Sequence, residues 1–582
     1  MTGLAEEERG HDASSPLLED ERVRSFEDTK DIYTATRPFA YILLLTVIIG
    51  GLQLSWCAEF SNGTPFLLSL GMSKTLMSLV WIAGPLSGTV GQPIVGVLSD
   101  ESRARFGRRR PFIIGGGIAT IASLLLLSWS KDIIALVFGG DTAEVKARTV
   151  PFAVFFVYLL DFSISAIQAA ARAYIVDNVP THQQQIANAW AARMTGIGNI
   201  IGYVLGSMNL PQAFPYLGNS QFKVLSACAS IALVITVVPA CWYIGENDPN
   251  TDPSVQKIAQ QQEESVKAIT RTSKLVQVWR DTVRAISNLS PQTWLICKVQ
   301  FFAWIGYFPM LFYATTYVGE MYIREYLSTR PSDAPPLTED EWDRLWEDGT
   351  RRGTQALVVY SITSLVANFI FPYLAEASYL GDHDVAVMRN LSHHHIENDS
   401  LLGQMDYYKE LLLSKVRVKG LTVARVWTYC HVLFIVLMGC TFFITTSSTA
   451  TVFVGALGVC WACALWAPFT LISEEVSRIR VKKTKAAQSY ALANANKQYM
   501  RYEHEAGVVL GVMNVFISSP QVISSLFSSL LFKLFSNKAN HTDGDSIGWV
   551  FRFGGVATIL ALYFSFFIKS PQQLDREDEQ SI

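Results

Sequence analysis

The sequence predicts an all-α membrane protein with twelve transmembrane helices in two six-helix bundles, on three observations. Hydrophobic residues make up 50% of the 582-residue chain and charged residues only 17%, too apolar a balance for an ordinary soluble enzyme. Twelve apolar runs reach about 20 residues, the length needed to cross a hydrocarbon core of roughly 30 Å. A polar stretch, 245–293, divides these runs six from six.

The runs lie at 39–69, 75–98, 111–129, 150–172, 187–209 and 223–244, and then at 294–318, 354–375, 423–446, 450–473, 507–533 and 548–568. The first is unusually long and is therefore tilted or bent, with Pro65 as the bend. The domain reading is a tail 1–37, a bundle 38–244, a linker 245–293, a second bundle 294–568 and a tail 569–582. Residues 1–37 are polar and include "EEERGHD", which does not fit a cleavable signal peptide.

Basic loops are retained on the cytoplasmic side of a membrane, and here they fall in alternate connections. Arg103, Arg105, Arg108, Arg109 and Arg110 follow the second run; Lys267 to Arg284 follow the sixth; Lys415 to Lys419 and Arg478 to Lys485 follow the eighth and tenth. Both termini are thus expected in the cytosol, with the acidic "LTEDEWDRLWEDGTRRG", 337–353, as an outside connection. The net charge of −3 and a pI near 6.3 argue against a nucleic-acid partner, so the arginine cluster is a local feature.

The eight cysteines all fall inside apolar runs, where thiols behave as small apolar groups and no disulfide framework is implied. "CWAC", 460–463, has metal-like spacing but sits in an apolar helix, and His393–His395 reads as a solvated tract. No metal and no cofactor is expected. Asn540 in "NHT" is the better glycosylation acceptor, because the sequon at Asn62 lies within the first run.

The loop "GVLSDESRARFGRRRP", 96–111, resembles the Gly-x-x-x-Asp-(Arg/Lys)-x-Gly-Arg-(Arg/Lys) loop of the major facilitator superfamily, with three extra residues before Gly107. Its matching positions are Gly96, Asp100, Gly107, Arg108 and Arg109. An aspartate at the negative, C-terminal end of a helix needs cations beside it, so Asp100 and the arginines are expected to form a conformational latch. The same arginines also serve as a topology signal.

The longer pattern "SDxxxxRFGRRRPFI" after "VWIAGPLSGTVGQPIVG" is similar to the sucrose–proton symporter family of plants and fungi. The likeness continues through "GLQLSWCAEFSNGTPFLLSLG", "LLDFSISAIQAAARAYIVD", "WIGYFPMLFYATTYVG", "GVCWACALWAPFTLIS" and "LGVMNVFISSPQ", and it points to the fungal α-glucoside branch. It implies a two-bundle carrier with the sugar near the midplane, working by alternating access with the proton as coupling ion. The implied partners are a small sugar and the lipid bilayer, with a monomer sufficient for function. The implied location is the plasma membrane, with the vacuolar membrane as the alternative.

Asp161, Ser165, Gln168 and Arg172 follow i, i+4, i+7 and i+11, and so line one face of the fourth helix. Asp161 falls near the midplane, where an ionisable group is a functional candidate by default, and a carboxyl withdrawn from water readily holds a proton. Direct pairing of Asp161 with Arg172 is excluded by the roughly 16 Å rise of eleven helical residues. The resemblance assigns proton coupling and substrate binding to the acid and the arginine of this stripe. In the first run, Glu59 is a second acid for proton coupling, beside Gln53 and Trp56 for sugar binding. Plant members carry glutamine at the position of Glu59, which leaves three roles for it: titrating, accepting sugar hydroxyls or pairing with Arg172.

Trp304 and Tyr307 are the substrate candidates of the seventh run, since each joins an aromatic face to a polar handle. Ala314, Thr316 and Glu320 stand where plant relatives carry a charged network, so that network is altered here. Gly349, Arg351 and Gly353 keep the family's Gly-x-Arg-x-Gly spacing before the eighth run. A sugar sensor on the same fold and a membrane enzyme are the competing readings, beside a carrier of that fold for another glycoside or a monosaccharide. No paired carboxylates on an aqueous domain, nucleotide-binding glycine loop or signalling domain supports either.

Overall fold

The computed structural model describes residues 37–100, 102–139, 142–179, 183–246, 286–331, 335–375, 418–488, 506–535 and 545–570, with isolated positions beside them. Residues 1–36, most of the expected linker, His393–His395, Asn540 and most of 571–582 lie outside the described residues.

A helix occupies every expected span. They are α1 (Phe39–Ser69), α2 (pieces between 74 and 100), α3 (Arg110–Ser128), α4 (Thr142–Asn178), α5 (Gln184–Ser207) and α6 (Gln221–Tyr243). The second set is α7 (Pro291–Thr329), α8 (Glu339–Leu374), α9 (Val423–Cys440), α10 (Ser447–Gln488), α11 (Ala506–Phe535) and α12 (Ser546–Ser565). Among the described residues, ten are long and apolar enough to cross a membrane by length and composition. The other two are α2, which is broken, and α5, whose apolar run is diluted by Asn188, Arg193 and Asn199.

Local sequence accounts for the ends. Ser73, Ser220, Ser290 and Thr422 each accept a backbone N–H of the following first turn. The structure corrects one expectation, because 337–353 is mostly helix and not a connection. Thr338 and Glu341 form a reciprocal capping box, and Glu339, Asp340 and Glu341 place negative charge on the helix N-terminus. These features start α8 well before its apolar portion.

Prolines explain the irregular helices. In α1 a π-helical stretch, Glu59–Gly63, precedes Pro65, and in α2 another, Ser87–Gly91, precedes Pro93. A proline ring collides with the carbonyl four residues earlier, for Pro65 that of Ser61, and widening the helix relieves the clash. The expected bend at Pro65 is thus expressed one turn upstream. Hydroxyls repair the disturbed backbone: Ser61 donates to the Cys57 carbonyl at 2.6 Å and Thr89 to the Pro85 carbonyl at 2.8 Å.

In the first half α1 packs on α5 and α6, and α4 on α3 and α2; in the second, α7 packs on α8, α11 and α12, and α10 on α8 and α9. The halves meet where α5 lies along α8 and where the first turns of α2 lie on α11. Between hydrocarbon-embedded helices close packing supplies the attraction, so small residues at crossings matter. Gly349 and Gly353 make the α7–α8 crossing in this way. A Cβ on Gly349 would lie 3.1 Å from the Gly319 carbonyl oxygen, and one on Gly353 would overlap the Thr315 carbonyl oxygen. Arg351 between them pairs with Asp348 of its own helix. Gly353→Ala is expected to spread this crossing and lower stability by about 1–3 kcal/mol, read as a lower unfolding temperature in detergent.

Candidate functional site

The bundle has two ends, the loop face, where 101–109 joins α2 to α3, and the opposite far face. Asp161 and Ser165 are buried, at 0% and 1% exposure, while Gln168 is half-buried and Arg172 exposed. The α4 stripe therefore runs from a closed interior to an exposed position nearer the loop face.

Glu59 is also buried, at 1%, and is an electrostatic neighbour of Asp161. The two carboxyls lie within hydrogen-bonding reach of each other, and among the described residues no group outside the pair donates to any of their four oxygens. Glu59 is thus brought together with Asp161 and not with Arg172. Gly84 of α2 lies against the Asp161 carboxyl, and the Ser87 and Ser165 hydroxyls are 2.9 Å apart. Two acids in apolar surroundings without a cation at either are stable only while protons limit their charge.

Gln53 points to α5, where its amide donates to Asn199 Oδ1 at 2.8 Å; the Cys57 thiol reaches the same oxygen at 3.3 Å. Asn199 was missed from sequence, although a polar residue in an apolar run is the signal that identified Asp161. Trp56 stacks on Phe60, with ring centroids 5.2 Å apart. Trp304 and Tyr307 lie in the second half, where both edge against Trp461 at 5.6 and 6.0 Å. No described hydrogen bond or ring contact joins them to the α4 stripe.

The far face is closed by contacts between the halves. Lys74 Nζ, on α2, lies 2.6 Å from Glu320 Oε1 on α7 and 3.2 Å from Ser546 Oγ on α12. Both charged groups are buried, at 9% and 3% exposure. Below them Trp81 donates to Thr64 Oγ1 at 3.1 Å, and Thr64 donates to the Phe312 carbonyl at 2.8 Å. Phe312 also packs on Trp81 and Phe60, at 4.6 and 5.0 Å. Glu320 is one of the positions at which the sequence departs from the plant pattern; its partner here is a lysine from the other half.

At the loop face the arginines meet acids from distant segments. Arg108 and Arg109 both bond Asp177, the acid near the end of α4, at 2.9 Å, and Arg109 also donates to Ser99 at 2.6 Å. Backbone N–H groups of Arg109 and Arg110 donate to Glu246, just beyond α6, at 2.9–3.1 Å. Burial pushes the Glu246 carboxyl up from its ordinary range, while the backbone donors of this loop pull it down. Gly107, at φ +104°, lets the loop turn onto Glu246, against which a Cβ would collide. Gly96 is in the last turns of α2, and the Asp100 side chain lies outside the described residues. Among the described residues, Asp177 is an anion that both arginines bond, and the negative end of α4 makes it a natural cation site.

The Major Facilitator Superfamily model matches residues 39–383. The chain belongs to this superfamily. It is 34% identical over 563 residues to the general alpha-glucoside permease of Schizosaccharomyces pombe, covering 91% of this chain and 93% of that one. It is 29% identical over 338 residues to the sucrose transport protein SUT3 of Oryza sativa subsp. japonica, covering 56% of this chain and 63% of that one. A crystal structure of D-xylose-proton symporter shares the fold at a TM-score of 0.51, with 13% identity over 92% of this chain and 99% of that one.

Two outcomes follow from the ends of this superfamily member. Lys74→Met leaves Glu320 buried without its cation, a loss worth about 3–5 kcal/mol, so a cysteine at Trp56 should label faster from the far face. The reversed pair, Lys74→Glu with Glu320→Lys, should restore slow labelling. Asp177→Asn should loosen the arginine loop and shift the labelling of a cysteine at Gln168, whereas a pure topology signal leaves that labelling unchanged.

Proposed function

We propose that the chain is a proton-coupled symporter that carries an α-glucoside disaccharide, such as sucrose or maltose, across a membrane by alternating access. The observation that carries this reading is the pair of buried carboxyls, Glu59 and Asp161, at the buried end of a polar helix face that continues through Ser165, Gln168 and Arg172. The near-full-length likeness to an alpha-glucoside permease supplies the substrate class. Positive-inside retention supports a cytosolic loop face and cytosolic termini, and the plasma membrane is the proposed location.

In this mechanism Asp161 takes a proton while the far face is open, with Glu59 beside it sharing the load. A neutral pair can cross the closed interior at little electrostatic expense, whereas a charged one cannot. Arg172 is exposed and offers a planar fork of donors to sugar hydroxyls, with Gln168 and Ser165 along the same face. Gln53 and Trp56 on α1 are the proposed sugar contacts of the first half, and Trp304 and Tyr307 on α7 those of the second. Opening to the cytosol hydrates Asp161, which then releases its proton. A monomer contains every group named.

Uptake of labelled maltose and sucrose into vesicles, with and without an imposed pH gradient, tests the reading. Accumulation above equilibrium that collapses with the gradient is expected. Asp161→Asn should abolish that accumulation but retain sugar exchange, because an amide forms hydrogen bonds but cannot cycle a proton. Arg172→Lys should weaken sugar binding about tenfold through loss of the fork. Full accumulation in Asp161→Asn would remove that residue from coupling.

A further inference from the structure

Arg193 is a charged residue of the membrane helices that the transport mechanism does not use. It is the tenth residue of α5 and is half-buried. Its guanidinium lies 4.9 Å from the ring centroid of Trp190 on the same helix and 5.8 Å from that of Phe369 on α8. Among the described residues no carboxylate pairs with it. Arg193 thus has one aromatic ring from each half and no anion, although a cation inside an apolar layer calls for one.

Helical geometry places Arg193 on the outside of the bundle. Gly198 and Gly202 of α5 abut Gln53 and Cys57 of α1, Gly196 abuts Leu365 of α8, and Asn199 turns inward to Gln53. Arg193 shares a different stripe with Ile197, Ile201 and Val204, at i+4, i+8 and i+11, which are 39–47% exposed. An exposed apolar stripe on a helix of a membrane bundle faces lipid. On α8, Ile362, Val366 and Phe369 form a similar exposed stripe. Arg193 therefore lies on the lipid-facing rim of the seam between the halves.

Its depth follows from α1. Gln183, just before α5, accepts from the Arg37 backbone N–H at 2.7 Å and donates to the Arg37 carbonyl at 3.0 Å, which holds the starts of α1 and α5 at one level. Phe39, the first residue of α1, packs 5.0 Å from Trp190. The Arg193 backbone is about 4.5 Å deeper than that of Trp190, three residues on. Its side chain reaches back to the Trp190 ring, as long helical side chains lean toward the N-terminus. The guanidinium is thereby at the level where aromatic residues mark the edge of the hydrocarbon, within reach of lipid headgroups.

We propose that Arg193, flanked by Trp190 and Phe369, binds the headgroup phosphate of an anionic phospholipid in the loop-face leaflet, at the outer seam between α5 and α8. The planar guanidinium fork matches two phosphate oxygens, and the two rings hold it in orientation. The acyl chains lie along the exposed apolar stripes of the two helices. A zwitterionic lipid carries its own cation beside the phosphate and gains less from the arginine. Because Phe369 comes from the second half, the site is complete only while α5 and α8 are as close as they are here.

The test uses the purified full chain in detergent, mixed with phosphatidylserine or phosphatidylcholine, and reads the lipid retained by native mass spectrometry. The wild type should retain phosphatidylserine about tenfold more tightly than phosphatidylcholine, the effect of a charged hydrogen bond. Arg193→Gln should abolish that preference. Phe369→Leu, which leaves every charge in place, should lower it severalfold and serves if the first variant folds poorly. Arg103→Gln removes an exposed arginine of the loop and should leave the preference unchanged. An excess of glycerophosphoserine, the headgroup without its chains, should not displace the lipid. Equal retention of the two lipids by the wild type, or an unchanged preference in the folded seam variants, would overturn the site. So would an equal loss in Arg103→Gln, which makes the attraction diffuse, or displacement by glycerophosphoserine, which makes the ligand a soluble phosphate.

Discussion

Polar groups inside a hydrocarbon layer have no water to turn to, and that constraint orders most of this structure. For the backbone it permits only helices, and it makes each helix-breaking proline a problem to be solved locally. Pro65 and Pro93 are accommodated by π-helical stretches, and Ser61 and Thr89 return hydroxyl bonds to nearby carbonyls. The distortions fall where function requires them. Glu59 is the first residue of the π stretch in α1, and Ser87, the first of that in α2, meets Ser165 beside Asp161. The least regular backbone of the first half thus surrounds its buried acids.

The same constraint gives the two ends different chemistry. At the loop face the described pairs of the arginine loop stay within one half: Arg108 and Arg109 with Asp177, and the loop backbone with Glu246. Such pairs brace the half as a unit and can survive when the halves separate. At the far face Lys74 and Glu320 pair between halves. A buried ion pair gains little over its desolvation, so it suits a contact that must break and re-form. The aromatic layer of Trp81, Phe60 and Phe312 beneath it excludes water from the carboxyl pair.

Much of this was legible in the chain. Spans were readable because membrane-crossing length and apolarity are properties of contiguous residues. The start of α8 was obscured because its first turns are acidic and its signal is a capping box, not hydropathy. The polar face of α4 was readable from helical spacing alone. What could not be read is which distant residue meets which: Asp177 lies 69 positions from Arg108, and Glu320 comes to Lys74 from the opposite half. Asn199 was within reach, since it is a lone amide in an apolar run, but its role depends on the approach of α5 to α1.

The two halves share a helical plan yet divide the chemistry. Asp161, Ser165 and Gln168 on α4 and Gln300, Trp304 and Tyr307 on α7 use the same i, i+4, i+7 spacing, one set carrying charge and the other neutral. If both sets carried acids, closing the halves would bring like charges together in a dry interior, where repulsion is weakly screened. In the proposed mechanism the titrating pair, Glu59 and Asp161, lies in one half, so its protonation changes the charge of that half. On that proposal coupling arises because the halves can close only over a carboxyl pair whose charge has been limited, and not because the sugar itself must touch the proton.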